Sequence, residues 1–225
     1  MGVGVIQNNL ISILKQIHLA EIKYHRTPGN VSLLAVSKKQ SAEKIREAFN
    51  AGQKSFGENY LQEALEKQIA LRDLNIEWHF IGNIQSNKAK LIAENFDWVH
   101  SVSRFSIAKK LNDHRPAHLE PLNICIEINI DDETTKSGVL IESVFELSQN
   151  IAALKHLKLR GLMIIPKKSS QNAFQKTAAL QRELIVRGFL LDTLSMGMSA
   201  DFEDAIAAGS TIVRIGTAIF GVRSS

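Results

Sequence analysis

Short apolar runs rich in β-branched residues recur along this chain, and longer amphipathic stretches separate them. The runs are VSLLAVSK (31–38), KSFG (54–57), EWHFIG (77–82), WVHSV (98–102), NICIEIN (123–129), RGLMII (160–165), LDTLSMG (191–197) and IVRIGT (212–217). Between them lie SAEKIREAFNAG, NYLQEALEKQIALRDL, NKAKLIAENF, RFSIAKKLNDHR, LIESVFELSQNIAAL, QNAFQKTAALQRELIVRG and ADFEDAIAAG. Most of these carry apolar residues three and four apart, and several end in Gly or a polar turn. Strands alternating with helices predict a parallel sheet. Eight such units in 225 residues predict an α/β fold, a single closed (β/α)8 TIM barrel. An open doubly wound sheet is the alternative. Ile6, Leu10, Ile13, Leu14 and Ile17 repeat with helical spacing, so an extra N-terminal helix is expected, covering the barrel bottom.

Composition narrows this picture a little. Only four prolines occur, and there is no low-complexity tract or Ser/Gly-rich linker, so one domain over 1–225 is expected. Lys and Arg number 27 against 23 acidic residues, a net charge of +4 without any long basic run. Scattered charge of this kind reads as solvated helix faces rather than a nucleic-acid footprint, while still suiting a phosphorylated small ligand. The one cysteine, Cys125, has apolar flanks and reads as a small core residue. No stretch approaches the ~18 apolar residues of a membrane span, and the N-terminus lacks a signal-peptide pattern. A cytoplasmic protein, free of membrane and nucleic acid and monomeric, is therefore expected.

Candidate chemistry gathers at the strand ends. A period of two along the first run sends Ser32, Leu34, Val36 and Lys38 to one face, with Lys38 at the barrel mouth. Desolvation there disfavours the ammonium form, and a neutral amine forms a Schiff base with a carbonyl ligand. A solvated lysine just past a strand is the bland alternative. In such barrels phosphates bind in the loops after strands seven and eight. Those loops here hold SMGMS (195–199) and GTAIFG (216–221). Gly197 and Gly216 would let the backbone approach an anion, and Ser199 and Thr217 carry hydroxyls. Asp201, Glu203 and Asp204 crowd the first of these loops, however, and a simple serine helix cap explains SMGMS as well. Arg214 shares a face with Gly216 and needs a partner, either a ligand or a barrel acid such as Glu127. Asn59 and His79 are further candidates, His79 reading first as a satisfied core histidine. No metal-ligand spacing and no Walker-type or G-x-G-x-x-G loop occurs.

Seven segments in order then resemble one family. They are AVSK (35–38), FGENY (56–60), WHFIGNIQSNK (78–88), KSG (136–138), RGLMIIP (160–166), LSMGMSADFEDAI (194–206) and VRIGTAIFG (213–221). Together the chain resembles the pyridoxal-phosphate homeostasis proteins, single-domain relatives of the alanine racemase N-terminal barrel. The resemblance implies pyridoxal phosphate held as a reversible Schiff base on Lys38. It implies phosphate contacts from Ser199, Gly216 and Thr217, with Arg214 at the pyridine nitrogen, Asn59 beside the ring and Met198 packed nearby. An arginine at that nitrogen weakens the ring as an electron sink. A carrier that buffers the cofactor, supports vitamin B6 and amino-acid homeostasis and hands it transiently to apo-enzymes is then expected, without robust turnover. Lys136 matches a lysine linked to cofactor release. Two departures stand out: Lys39-Gln40 follow Lys38 where many relatives have Thr-Lys, and the final Val222-Arg223-Ser224-Ser225 lacks the usual lysines. The alternative functions are a pyridoxal-phosphate-dependent amino-acid racemase, which needs a second acid–base group from an added domain, and a Schiff-base aldolase acting on a sugar phosphate.

Overall fold

The computed structural model describes residues 4–133, 137–167, 170 and 172–221. After helix α1 (Val5–Lys23), strands and helices alternate: β1 (Ser32–Val36), α2 (Ala42–Asn50), β2 (Ser55–Glu58), α3 (Leu61–Ala70) and β3 (Glu77–Phe80). A 3-10 turn (Ser86–Lys88) leads into α4 (Ala89–Asn95), β4 (Trp98–Val102), α5 (Phe105–His114) and β5 (Leu122–Ile128). The second half runs α6 (Ile141–Ala152), β6 (Leu157–Ile164), α7 (Ala173–Val186), β7 (Thr193–Ser195), α8 (Phe202–Ala207), β8 (Ile212–Ile215) and α9 (Thr217–Phe220). Every strand pairs in parallel with its neighbours in sequence, and β8 closes on β1 through Ser32 opposite Ile212 and Leu34 opposite Arg214. The eight-stranded closed (β/α)8 barrel expected from the run pattern is therefore the observed fold. Among the described residues, no helix is long and apolar enough to cross a membrane.

Alternation along each strand splits the core in two. Ala35, Phe56, Phe80, Val99, Ile124, Leu162 and Val213 face the helices, where Ile45, Ala64, Ile92, Leu111 and Val144 pack against them in one large buried cluster. The barrel interior differs. Its small apolar cluster is Trp98, Cys125 and Met163, while Glu127, His79, His100, Ser195 and Arg214 are also buried. Cys125 is the core residue its flanks predicted: it is fully buried, and burial pushes its thiol up to about 12.

Helix α1 buries Ile6, Leu10, Ile13, Ile17 and Ala20, whereas Leu14 is left nearly half exposed. Its contacts are with α2, α8 and α9. The helix expected beneath the barrel is thus corrected to one lying over the β8–β1 seam. The reason is local: Asn9 Nδ2 donates to the Ile219 carbonyl, Lys23 pairs with Glu203 at 2.6 Å, and Glu21 accepts the backbone N–H groups of Gly29 and Val31. These bonds tie both ends of α1 to the flank of the seam.

Candidate functional site

At the carboxyl ends of the strands lies a cavity of about 270 Å³ lined by Val36, Lys38, Asn59, Ile81, Met163, Ile165, Met198, Ser199, Ala200, Arg214, Gly216 and Thr217. The seven residues that the family resemblance implies, Lys38, Asn59, Met198, Ser199, Arg214, Gly216 and Thr217, all line this cavity, whereas Gly197 and His79 do not. Lys38 sits in the turn two residues beyond β1 rather than on the strand, half-buried. A single-residue excursion brings Lys39 to φ 59°, which turns its exposed side chain away. Asn59 follows β2 directly, and its Oδ1 is buried with no hydrogen-bond partner among the described residues. A buried acceptor left open in this way costs free energy unless something donates to it. Lys136 lies outside the described residues.

Two of the three acidic residues after Ser199 have partners of their own. Asp201, not Ser199, is the N-cap residue of α8. Its Oδ1 accepts the Met198 N–H at 2.6 Å, and Glu203 is drawn to Lys23 on α1. The Ser199 hydroxyl is therefore not consumed as a helix cap, and it stands exposed at the rim with Thr217. Gly197 serves a different purpose from the one expected. Its φ is 96°, and a Cβ there would meet Ala205 Cβ at 2.6 Å, so this glycine lets α8 pack beneath the loop rather than opening room for a ligand. At Gly216 a Cβ would stand 2.9 Å from the Val36 carbonyl oxygen, beside the cavity wall.

Arg214 is the buried cation at the floor. Its Nη1 donates to the Ser195 carbonyl and to Ser195 Oγ at 2.7 Å, and its Nη2 donates to the Ile164 carbonyl at 2.8 Å. These bonds, and not an ion pair with Glu127, hold the guanidinium. Burial lowers its pKa to about 10, so it stays charged at neutral pH. Glu127, 9 % exposed on β5, feels Arg214 only at range, and burial pushes its carboxyl from the ordinary 4.5 to about 6. A folded-state pKa above the unfolded one favours the fold below pH 4.5, and this contribution is lost as pH rises through 6. The change corresponds to about 2 kcal/mol. Glu127→Gln is thus expected to unfold at higher urea than the parent at pH 8, with the gap closing near pH 4.5. A variant less stable than the parent at pH 8 would make Glu127 the true partner of Arg214.

Beneath the floor, His79 takes part in a buried polar chain with His100 and Ser195. His79 is a satisfied core histidine, as its position suggested. Ser195, at the start of SMGMS, carries no sequence signal for this role, whereas His100 sits at the alternate position of WVHSV that faces the interior.

The sequence matches the alanine racemase N-terminal domain family over residues 17–224. A pyridoxal phosphate homeostasis protein of Vibrio alginolyticus is 52% identical over 227 residues, covering 97% of each chain. One of Pseudomonas aeruginosa is 51% identical over 222 residues, covering 98% of this chain and 96% of that one. The structure of PipY from Synechococcus elongatus with PLP bound superposes with a TM-score of 0.84 at 34% identity, over 96% of this chain and 100% of that chain. The chain belongs to the pyridoxal phosphate homeostasis protein family.

Proposed function

We propose that this protein binds pyridoxal phosphate in the cavity at the barrel mouth and carries and buffers it within the cell. The observation that carries this reading is the meeting of a lysine amine, a buried arginine, a buried amide oxygen without a partner among the described residues and two rim hydroxyls around one cavity. When bound, the cofactor supplies an aldehyde that condenses reversibly with an amine and releases water. Lys38 offers that amine. Ser199, Thr217 and the backbone at Gly216 suit a phosphate, because hydroxyl and N–H donors favour an anion. Arg214 would supply a donor toward the ring nitrogen, Asn59 Oδ1 would accept from the bound group, and Met198 would supply apolar contact in the cavity lining.

A carrier fits this site better than a catalyst. Racemization needs a proton donor and acceptor on each face of the substrate carbon. Among the described residues lining the cavity, Lys38 alone can exchange a proton readily, since Arg214 keeps its own at neutral pH. The relatives' name as homeostasis proteins agrees with that reading. Transfer to apo-enzymes that use the cofactor is the accompanying partnership, and Lys136 is the residue we assign to release.

The test is to load the protein with pyridoxal phosphate, reduce it with borohydride and map the modified peptide by mass. One phosphopyridoxyl group on Lys38 is expected, absent from Lys38→Ala. An unmodified parent protein, or a Lys38→Ala protein modified to the same extent, would overturn the assignment. The loaded protein should also leave the enantiomers of alanine and serine unchanged.

A further inference from the structure

The barrel interior holds a continuous run of hydrogen bonds from its amino-terminal end to Arg214. Glu77 Oε1 lies 2.7 Å from His79 Nε2, His79 Nδ1 lies 2.8 Å from His100 Nε2, and His100 Nδ1 lies 2.8 Å from Ser195 Oγ. Arg214 Nη1 completes the run at 2.7 Å from the same Oγ. The links come from β3, β4, β7 and β8, so the run crosses the lumen. Its outer end is wet, the Glu77 side chain being 46% exposed, and its inner members are buried.

The chemistry of the two ends fixes the direction of every proton. A guanidinium only donates, so Ser195 Oγ must accept from Arg214. Glu77 is a carboxylate, its pKa held down to about 2 chiefly by its bond to His79, so it only accepts. Between these ends each link has one proton to give and one lone pair to offer. The Ser195 hydroxyl donates to His100 Nδ1, His100 Nε2–H donates to His79 Nδ1, and His79 Nε2–H donates to Glu77. The reverse polarity would set a bare His79 lone pair against a carboxylate and leave the Ser195 proton with no acceptor among the described residues. A protonated His79 would force the same orphan at Ser195. His100 resists charge in any case: full burial, with the Arg214 charge nearby, holds its pKa far down. His79 is further fixed by stacking on Trp98, the rings 4° from parallel at 5.4 Å.

We propose that Glu77, His79, His100 and Ser195 form a hydrogen-bonded chain of one polarity that positions Arg214 and tunes the cavity floor from the far end of the barrel. All four are positioning residues and none lines the cavity. The polarity stands on the protein's own bonds, while its effect on the cofactor rests on the cavity reading above.

Ring-nitrogen NMR on histidine-labelled protein without cofactor tests the first part at neutral pH. His79 and His100 should both carry their proton on Nε2. A proton on His100 Nδ1, or a doubly protonated His79, would overturn the polarity. Ser195→Ala should then scramble the tautomer of His79, two links away, which a merely packed serine would not do. Should that variant fail to fold, Glu77→Ala, altered at the wet end, should scramble His100 instead. Unchanged tautomers would sink the proposal. With pyridoxal phosphate bound, both variants should keep attachment at Lys38, shift the visible absorption maximum and weaken affinity roughly 2- to 12-fold, the range for one lost hydrogen bond. Parental spectra and affinities would refute the tuning. A parent protein that takes up no cofactor would instead count against the cavity reading and leave the tautomer result standing.

Discussion

Replacing Lys67 with Met is expected to lower stability by about 3–5 kcal/mol at pH 8. Lys67 rises from α3 with its side chain 8% exposed, and its ammonium lies 2.8 Å from Glu58 Oε1, whose own side chain is fully buried. It also donates to Glu63 and to the Ser37 carbonyl, so all three protons are placed. The methionine keeps the apolar stem but leaves buried Glu58 with the Ser37 hydroxyl and no cation, its second oxygen already lacking a partner among the described residues. Burial raises the Glu58 pKa even with Lys67 present. A raised carboxyl pKa favours the fold at low pH and loses that advantage as pH rises. The Lys67→Met deficit should therefore shrink as urea melts are moved from pH 8 toward pH 5, and adding Glu58→Gln should recover part of it. A variant within ~1 kcal/mol of the parent at pH 8 would mean the pair is not needed to hold Glu58. The site should suffer too, because Ser37 directly precedes Lys38.

Gly161→Ala should be about as damaging. Between β5 and β6 the register slips, Ile124 facing Leu159 and Cys125 facing Gly161, so Arg160 is the extra residue of a bulge. Arg160 spends that freedom on Asp192, its Nη2 2.7 Å from Oδ2. The bend presses Gly161 onto β7 so closely that a Cβ would stand 1.7 Å from the Thr193 carbonyl oxygen. Backbone cannot swing aside as a side chain does, so β6 and β7 must part. A loss of about 4 kcal/mol, or a Tm lower by roughly 10 °C, is expected by calorimetry. A fall of only a degree or two would show that the seam shifts freely.

The strand count was legible because each barrel strand is buried on its helix-facing side and so reads as a short apolar run. Its errors have physical causes. β6 begins at Leu157, three residues before the predicted run, since exposed Lys158 broke the apolar pattern that pairing with β5 extends. β7 keeps only Thr193–Ser195, because Gly197 turns the chain at positive φ. α9 is four residues between glycines, too short to show a helical period. The cavity residues were legible since they cluster at or just past strand ends, Lys38 lying two residues beyond β1. The Glu77–Arg214 run was not, because its partners lie on strands far apart in sequence and meet only across the lumen. Nor did sequence reveal that Asp201 would turn to Met198 and free Ser199.

The seam between β8 and β1 carries a consequence for how the protein is made. The cavity takes Lys38 from the first turn of the barrel and Arg214, Gly216 and Thr217 from the last. A ribosome adding ~5–20 residues per second therefore delivers the amine roughly ten to thirty seconds before the groups that would surround it. During that interval a growing chain has no enclosed pocket in which to sequester a reactive aldehyde. On the proposed reading, a truncated product that stops before β8 would carry Lys38 without the Arg214, Gly216 and Thr217 that complete the cavity.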